Sequence, residues 1–242
     1  MGLGVGFGVV GGSSKPLETS FNIADVSGIQ TWLKFNTGQT DDGNTITWTD
    51  SSGQGNPISD SSAGTNDRVE FTGGALHLKQ IDVSTYPEAN FTSEMVLTGA
   101  FTIFVVVDVD DDLNAESIFQ GSASSGNNFF RLAHGNVDAK FRFIFDGTSS
   151  IITASTAPST SKALFRISRD GSNNVDVFED DTSLGGGFPA SNSGTFRILR
   201  LGSTSSASAV GGKFHEVVIF NELVNSGNTA LIEADIKTRN SL

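Results

Sequence analysis

The densest chemical grouping in the sequence is Asp108, Asp110, Asp111 and Asp112, with Asn114 just beyond. Hard oxygen ligands crowded in this way suit Ca²⁺. The competing reading, which we prefer, is a solvated turn whose carboxylates repel one another and stay hydrated. On that reading the chain takes no cofactor; on the first it takes Ca²⁺. Asp50, in Asp50-Ser-Ser-Gly-Gln-Gly-Asn56, is expected to accept hydrogen bonds from its own turn amides. His77, His134 and His215 lie far apart and cysteine is absent, so no zinc ligand set is expected. The histidines read as ordinary strand residues.

Sugar recognition asks for an aromatic plate beside polar groups. The candidates are Tyr86, Phe129 and Phe130 after a Ser-Gly-Asn-Asn turn, and Phe188 after three glycines. Phenylalanine is abundant at 19 residues, against one tyrosine and two tryptophans, which favours aromatic packing in a core over display. Trp32 and Trp48 fall in strand patterns and are expected to be buried. Asn90-Phe-Thr92 forms a glycosylation sequon, a match short enough to arise by chance.

Gly6-Phe-Gly8-Val-Val-Gly11 fits a dinucleotide-loop pattern by its letters, but no strand precedes it and no helix pattern follows. What this segment does show is period two. Leu3, Val5, Phe7 and Val9 share one face of an extended chain, and glycines fill the other. We expect residues 1–20 to be a docking arm whose apolar face joins a partner protein. The first charge is Lys15, so a basic n-region of a secretory signal is missing.

From residue 21 to 242 composition is even, and a single domain is expected. Net charge is −12, from 27 acids against 15 bases, and no basic cluster exists to wrap a phosphate backbone. Nucleic-acid partners are therefore not expected. The longest apolar run, Phe101 to Val107, is too short to insert through a bilayer as a helix.

Short alternating or apolar runs occur at 29–35, 45–49, 68–71, 75–78, 100–109, 117–120, 129–133, 140–145, 163–169, 175–179, 195–202 and 214–221. Asp-Gly, Ser-Gly and Gly-Gly turns separate them. The spacing predicts an all-β, antiparallel two-sheet sandwich. Ser226–Arg239, with Ile232 and Ile236 four apart and bases in its last turn, predicts one short C-terminal helix.

Ile29-Gln-Thr-Trp-Leu-Lys-Phe35 and Thr47-Trp-Thr-Asp-Ser-Ser-Gly-Gln-Gly-Asn-Pro57 resemble the opening of laminin-G-like jelly rolls of the concanavalin A-like lectin/glucanase superfamily. Gly73–Leu78, Ala100–Val107 and Lys213–Asn221 resemble later strands of that family, so the likeness runs over about residues 21–242. It implies a jelly roll of about fourteen strands, used to bind glycans or proteins, sometimes with calcium, and frequent in bacteriophage structural proteins. Glu216 resembles the family's structural acid.

The glucanase branch would carry E-x-D-x-x-E on one strand, and this pattern is absent. Glu216 and Glu222 lie six residues apart and are the remaining pair to weigh for hydrolysis, which needs carboxylates about 5–10 Å apart. Glu179-Asp180-Asp181 reads as a strand end entering a turn, and no G-x-S-x-G is present. The expectation is thus a non-enzymatic virion structural protein of a bacteriophage, a capsid decoration or tail-fibre component. It would assemble in the host cytoplasm, sit as a homo-oligomer on the virion surface, contact other virion proteins through its arm and face a host glycan. The alternative is a free lectin-like module of a bacterial surface protein; a glucanase-like hydrolase comes third.

Overall fold

The structure, a computed structural model, describes residues 21–60, 68–79, 87–109, 116–122, 128–133, 140–145, 148–153, 159, 161–187, 194–202 and 211–242. For residues 116, 129, 131–133, 140–145, 148–153 and 187 it describes the backbone alone.

Its strands are β1 (Ile29–Leu33), β2 (Gln39–Asp41), β3 (Ile46–Trp48), β4 (Ile58–Asp60), β5 (Val69–Thr72) and β6 (Ala75–Leu78). They continue as β7 (Glu88–Leu97), β8 (Phe101–Val109), β9 (Glu116–Gln120), β10 (Phe129–Ala133), β11 (Lys140–Phe145) and β12 (Thr148–Thr153). The last five are β13 (Ala163–Arg169), β14 (Val175–Glu179), β15 (Thr182–Gly187), β16 (Phe196–Gly202) and β17 (Gly212–Phe220). One helix, α1 (Ser226–Asn240), follows.

All pairings among the described strands are antiparallel. One sheet runs β15-β14-β13-β8-β17-β6-β5, with β1 added along the far half of β17; the other runs β12-β11-β10-β9-β16-β7-β4-β3-β2. The expected β-sandwich with a C-terminal helix is the fold observed.

Strand β8 shows how sequence sets the layers. Its run Phe-Thr-Ile-Phe-Val-Val-Val is apolar on both faces because both faces are covered. Phe101, Ile103, Val105, Val107 and Val109 enter the core between the sheets. Phe104 and Val106 point the other way, into a second core under α1. Ile232 and Ile236, one turn apart, close that second core, together with Ile23, Val26, Trp32, Val218 and Phe220. Each of these large side chains contributes about 1.5–3 kcal/mol by leaving water.

The helix starts where Asn225 caps it, its side-chain oxygen accepting from Asn228 N–H at 2.9 Å. It stops at Ser241, whose φ of 57° is left-handed. The predicted Asp-Gly turns behave as their chemistry demands. Asp170 Oδ1 accepts from the amides of Ser172 (2.8 Å) and Asn174 (2.9 Å), and Asp42 Oδ1 from Asn44 (2.8 Å) and Thr45 (2.7 Å). Glu179 ends β14 as expected, and Asp180 and Asp181 turn the chain with φ of 44° and 70°.

Candidate functional site

Most of the sequence-predicted residues fall outside the part of the chain that the structure describes. Leu3, Val5, Phe7 and Val9, the acids Asp110, Asp111 and Asp112, and Tyr86 and Phe188 lie outside the described residues. Phe130 is 1% exposed and stacks on Phe119 within the core, with ring centroids 6.5 Å apart. As a ligand plate it is therefore corrected: hydrophobic packing holds its ring away from any surface. Phe129 occupies β10 in register with Gln120. Trp32 and Trp48 are both buried, as expected.

Asp108 stands near the end of β8 with both carboxylate oxygens engaged. Oδ1 accepts from Lys213 N–H at 3.1 Å, and Oδ2 lies 3.3 Å from His215 Nε2. Partial burial works against its charge, but His215 and Lys213 outweigh it and hold the carboxyl below the usual range. Among the described residues, no group of three metal-ligating side chains forms.

The two outer faces of the sandwich differ. That of the eight-stranded sheet is sealed by α1, and a carboxylate network pins the seal. A register shift in β17 between Phe214 and Glu216 turns Glu216 to the helix side, where it is 0% exposed. Its Oε1 accepts from Trp32 Nε1 at 2.7 Å and Arg239 Nη2 at 2.8 Å; its Oε2 accepts from Asn240 Nδ2 at 2.7 Å and Arg239 Nε at 3.1 Å. Burial lowers the basicity of Arg239, but Glu216 and Asp235 more than offset this and hold the guanidinium above its ordinary value. Asp50 supports the same corner: Oδ1 accepts from the amides of Trp32 (2.9 Å) and Ser52 (2.8 Å), and Oδ2 from Asn56 (3.0 Å). The Glu216/Glu222 pair weighed for hydrolysis is thereby overturned. Glu216 is locked beneath the helix, and Glu222 lies beyond the end of β17.

No described helix or strand packs over the outer face of the nine-stranded sheet. On β7, Ala89, Phe91, Met95 and Leu97 face the core, which leaves Glu88, Asn90, Glu94 and Val96 outside; Val96 is 45% exposed. On β16, Phe196, Ile198 and Leu201 face the core. Unbroken alternation would send Arg200 inward. The register instead slips between Ile198 and Arg200, and this brings Arg200 to the same face as Arg197.

Each arginine meets a glutamate of β7. Arg200 Nη1 lies 2.5 Å from Glu88 Oε2, and Arg197 Nη1 lies 3.4 Å from Glu94 Oε2. Glu94 Oε1 also accepts from Ser122 N–H at 2.7 Å. Asn90 donates from Nδ2 to Asp60 Oδ2 at 2.7 Å, so the sequon amide is engaged within the protein. Across the strands, Asn90, Arg200, Gln120 and Phe129 fall in one register row. Arg200 is 7% exposed, and its Nε is buried without a hydrogen-bond acceptor. Such a donor is costly unless something meets it. The sequence reading missed this cluster. Arg197 and Arg200 are three apart, an odd spacing that puts them on opposite faces unless a bulge is foreseen.

No family model matches the chain, and no curated protein matches it. Solved structures do. Botulinum neurotoxin type C, whose passage into cells depends on interaction with two ganglioside molecules, matches at 11% identity and a TM-score of 0.56, over 86% of this chain and 51% of that one. The receptor-binding domain of botulinum neurotoxin type G matches at 15% and 0.57, over 88% and 52%. A Trypanosoma rangeli sialidase in complex with 2,3-difluoro-KDN matches at 13% and 0.52, over 84% and 32%. The chain spans about half the length of the binding domains it resembles. These likenesses define a fold class, the antiparallel two-sheet β-sandwich.

Proposed function

We propose that this protein is a non-catalytic recognition module that binds a glycan on the outer face of its nine-stranded sheet. One observation carries the reading. One side of the sandwich is sealed by a helix, while no described helix or strand covers the other, where Arg197, Arg200, Glu88, Glu94 and Asn90 lie. Sugars are met by fixed polar groups of this kind beside aromatic surface. The ganglioside dependence of botulinum neurotoxin type C, built on the same fold, supports a glycan as the ligand class.

The module is carried on a bacteriophage particle, as a capsid decoration or tail appendage, with residues 1–20 as its anchor to other virion proteins. The alternation of Leu3, Val5, Phe7 and Val9 with glycine supports this placement. Glu216 is engaged beneath the helix and not free for hydrolysis, which supports an adhesive rather than a chemical role. A glycan array probed with the full chain tests the binding: selective retention of a glycan set supports it, and no retention on any glycan refutes it. Recovery of the chain at fixed copy number from purified particles tests the placement, and its absence from them ends it.

A further inference from the structure

The helix that seals the eight-stranded sheet is held on its other flank by a second charged cluster, remote from Glu216 in its partners. Arg166 lies on the same face of β13 as Leu164, which packs under α1. Its guanidinium sits over the ring of Phe178, its cross-strand partner, 3.6 Å from the ring centre. Its Nε donates to Glu233 Oε1 at 2.7 Å. One turn further along α1, Lys237 Nζ donates to Asp181 Oδ2 at 2.5 Å. Glu233 and Asp181 also meet each other, carboxyl to carboxyl, within hydrogen-bond range. Two ionised carboxylates have no hydrogen to share, so that contact needs one proton between them.

The two acids come from elements that are fixed independently. Asp181 belongs to the tight turn between β14 and β15, and its neighbour Asp180 ties that turn to β13. Asp180 N–H donates to Leu164 O at 3.0 Å, and its Oδ1 accepts from Leu164 N–H at 3.2 Å. The Glu233 side chain is 12% exposed and that of Asp181 is 59% exposed, so their environments differ. Burial, with the adjoining Asp181, pushes the Glu233 carboxyl up against the pull of Arg166. Lys237 holds the Asp181 carboxyl below the usual range. The other charges nearby are spoken for. Glu179 lies on the opposite face of the sheet, in register with Phe165, and accepts from Ser159 N–H at 2.9 Å. Asp235 turns to Arg239 at 2.8 Å, and Lys162 donates to Asn240 O at the helix end.

We propose that Glu233 and Asp181 form a proton-sharing clamp, which holds α1 to the sheet more firmly in mild acid than at neutral pH. A raised carboxyl such as Glu233 contributes stability that is complete below its ordinary 4.5 and is lost as pH rises through the folded value. A lowered one such as Asp181 contributes stability above 3.8 that is lost only as pH falls through a value below that. The two contributions overlap in mild acid, where Glu233 carries the proton and Asp181 the charge. At neutral pH the carboxylates face each other, and the Arg166 and Lys237 ion pairs alone hold the corner.

Amide exchange of α1 in the full chain, corrected for the intrinsic rate, tests this at pH 4.5 and 7.5 in the unaltered chain and in Glu233→Gln. Protection of α1 in the unaltered chain should be severalfold greater at pH 4.5. A Gln amide keeps an acceptor for Arg166 and a donor for Asp181, so the variant should show the same protection at both pH values. Equal protection at the two pH values in the unaltered chain, or an undiminished difference in Glu233→Gln, overturns the proposal. A carboxyl-carbon NMR titration of the unaltered chain gives a readout that needs no variant. A Glu233 midpoint above 4.5 is expected, and one at or below 4.5 overturns the clamp.

Discussion

Replacing Glu216 with Gln removes one charge from the corner where α1 meets the eight-stranded sheet. The shape of the side chain is kept, so the change isolates electrostatics and hydrogen bonding. Four donor atoms converge on the carboxylate at 2.7–3.2 Å: Trp32 Nε1, Arg239 Nε and Nη2, and Asn240 Nδ2. A Gln amide offers one acceptor oxygen and turns its NH₂ toward donors. Arg239 loses the buried one of its two counter-charges and keeps Asp235 at 2.8 Å, and its side chain, 19% exposed, regains part of its hydration. Removing one partner from a fully buried pair costs about 3–5 kcal/mol, and that residual exposure brings the expected loss to about 3 kcal/mol. At about 2–4 °C per kcal/mol for a domain of this size, the melting temperature should fall by about 6–12 °C. Urea unfolding followed by tryptophan fluorescence reads the loss directly, because Trp32 donates to the same carboxylate. A loss below about 1 kcal/mol would refute the view that this carboxylate pins the helix.

Asp50→Asn is expected to cost about 1–2 kcal/mol at pH 7, since one of three amide bonds to the carboxylate is lost and the site is only partly buried. Burial raises the Asp50 carboxyl, but the Ser52, Trp32 and Asn56 bonds outweigh it and hold it below the ordinary 3.8. A depressed folded pKa stabilises above 3.8 and loses that stability as pH falls through the folded value. Urea titrations at pH 7, 4 and 3 should therefore show a steeper acid loss in the unaltered chain than in Asp50→Asn. Arg169→Met should cost about 3 kcal/mol by calorimetry, because the buried guanidinium donates to the carbonyls of Leu97, Gly99 and Gly194 and stacks over Phe101. Burial has pushed its pKa down to about 10, which still leaves it charged at neutral pH. Gly202→Ala should cost about 2 kcal/mol, since φ is +81° and an added Cβ would lie 2.5 Å from Pro87 O; an unchanged unfolding midpoint would contradict that contact.

Strands covered by apolar residues were legible in the sequence. Ala75–Leu78, Ala163–Arg169 and Val175–Glu179 form at the expected bounds, because both ends carry turn chemistry and the interiors are continuous or alternating. Strand β7 was not legible. It keeps Phe91 and Met95 inward, but the polar Thr92-Ser93-Glu94 between them reads as a loop. β15 ends in three glycines, β12 opens Thr-Ser-Ser, and β2 and β4 have three residues each, so none offers a hydrophobic period. Site residues follow the same division. Glu216 was singled out as a structural acid and holds that role, whereas Arg200 depends on a register slip that local sequence does not announce. Glu88 stayed unplaced because its strand was unseen.

The proposed binding surface is the outer face of the nine-stranded sheet, which no described helix or strand covers. Backbone amide exchange of the full chain, with and without the strongest array hit, tests it most directly. Binding there should slow exchange in β7, β9 and β16 and leave α1 unchanged. Protection confined to α1 and its cover, or protection nowhere in those three strands while the glycan is bound, would contradict it.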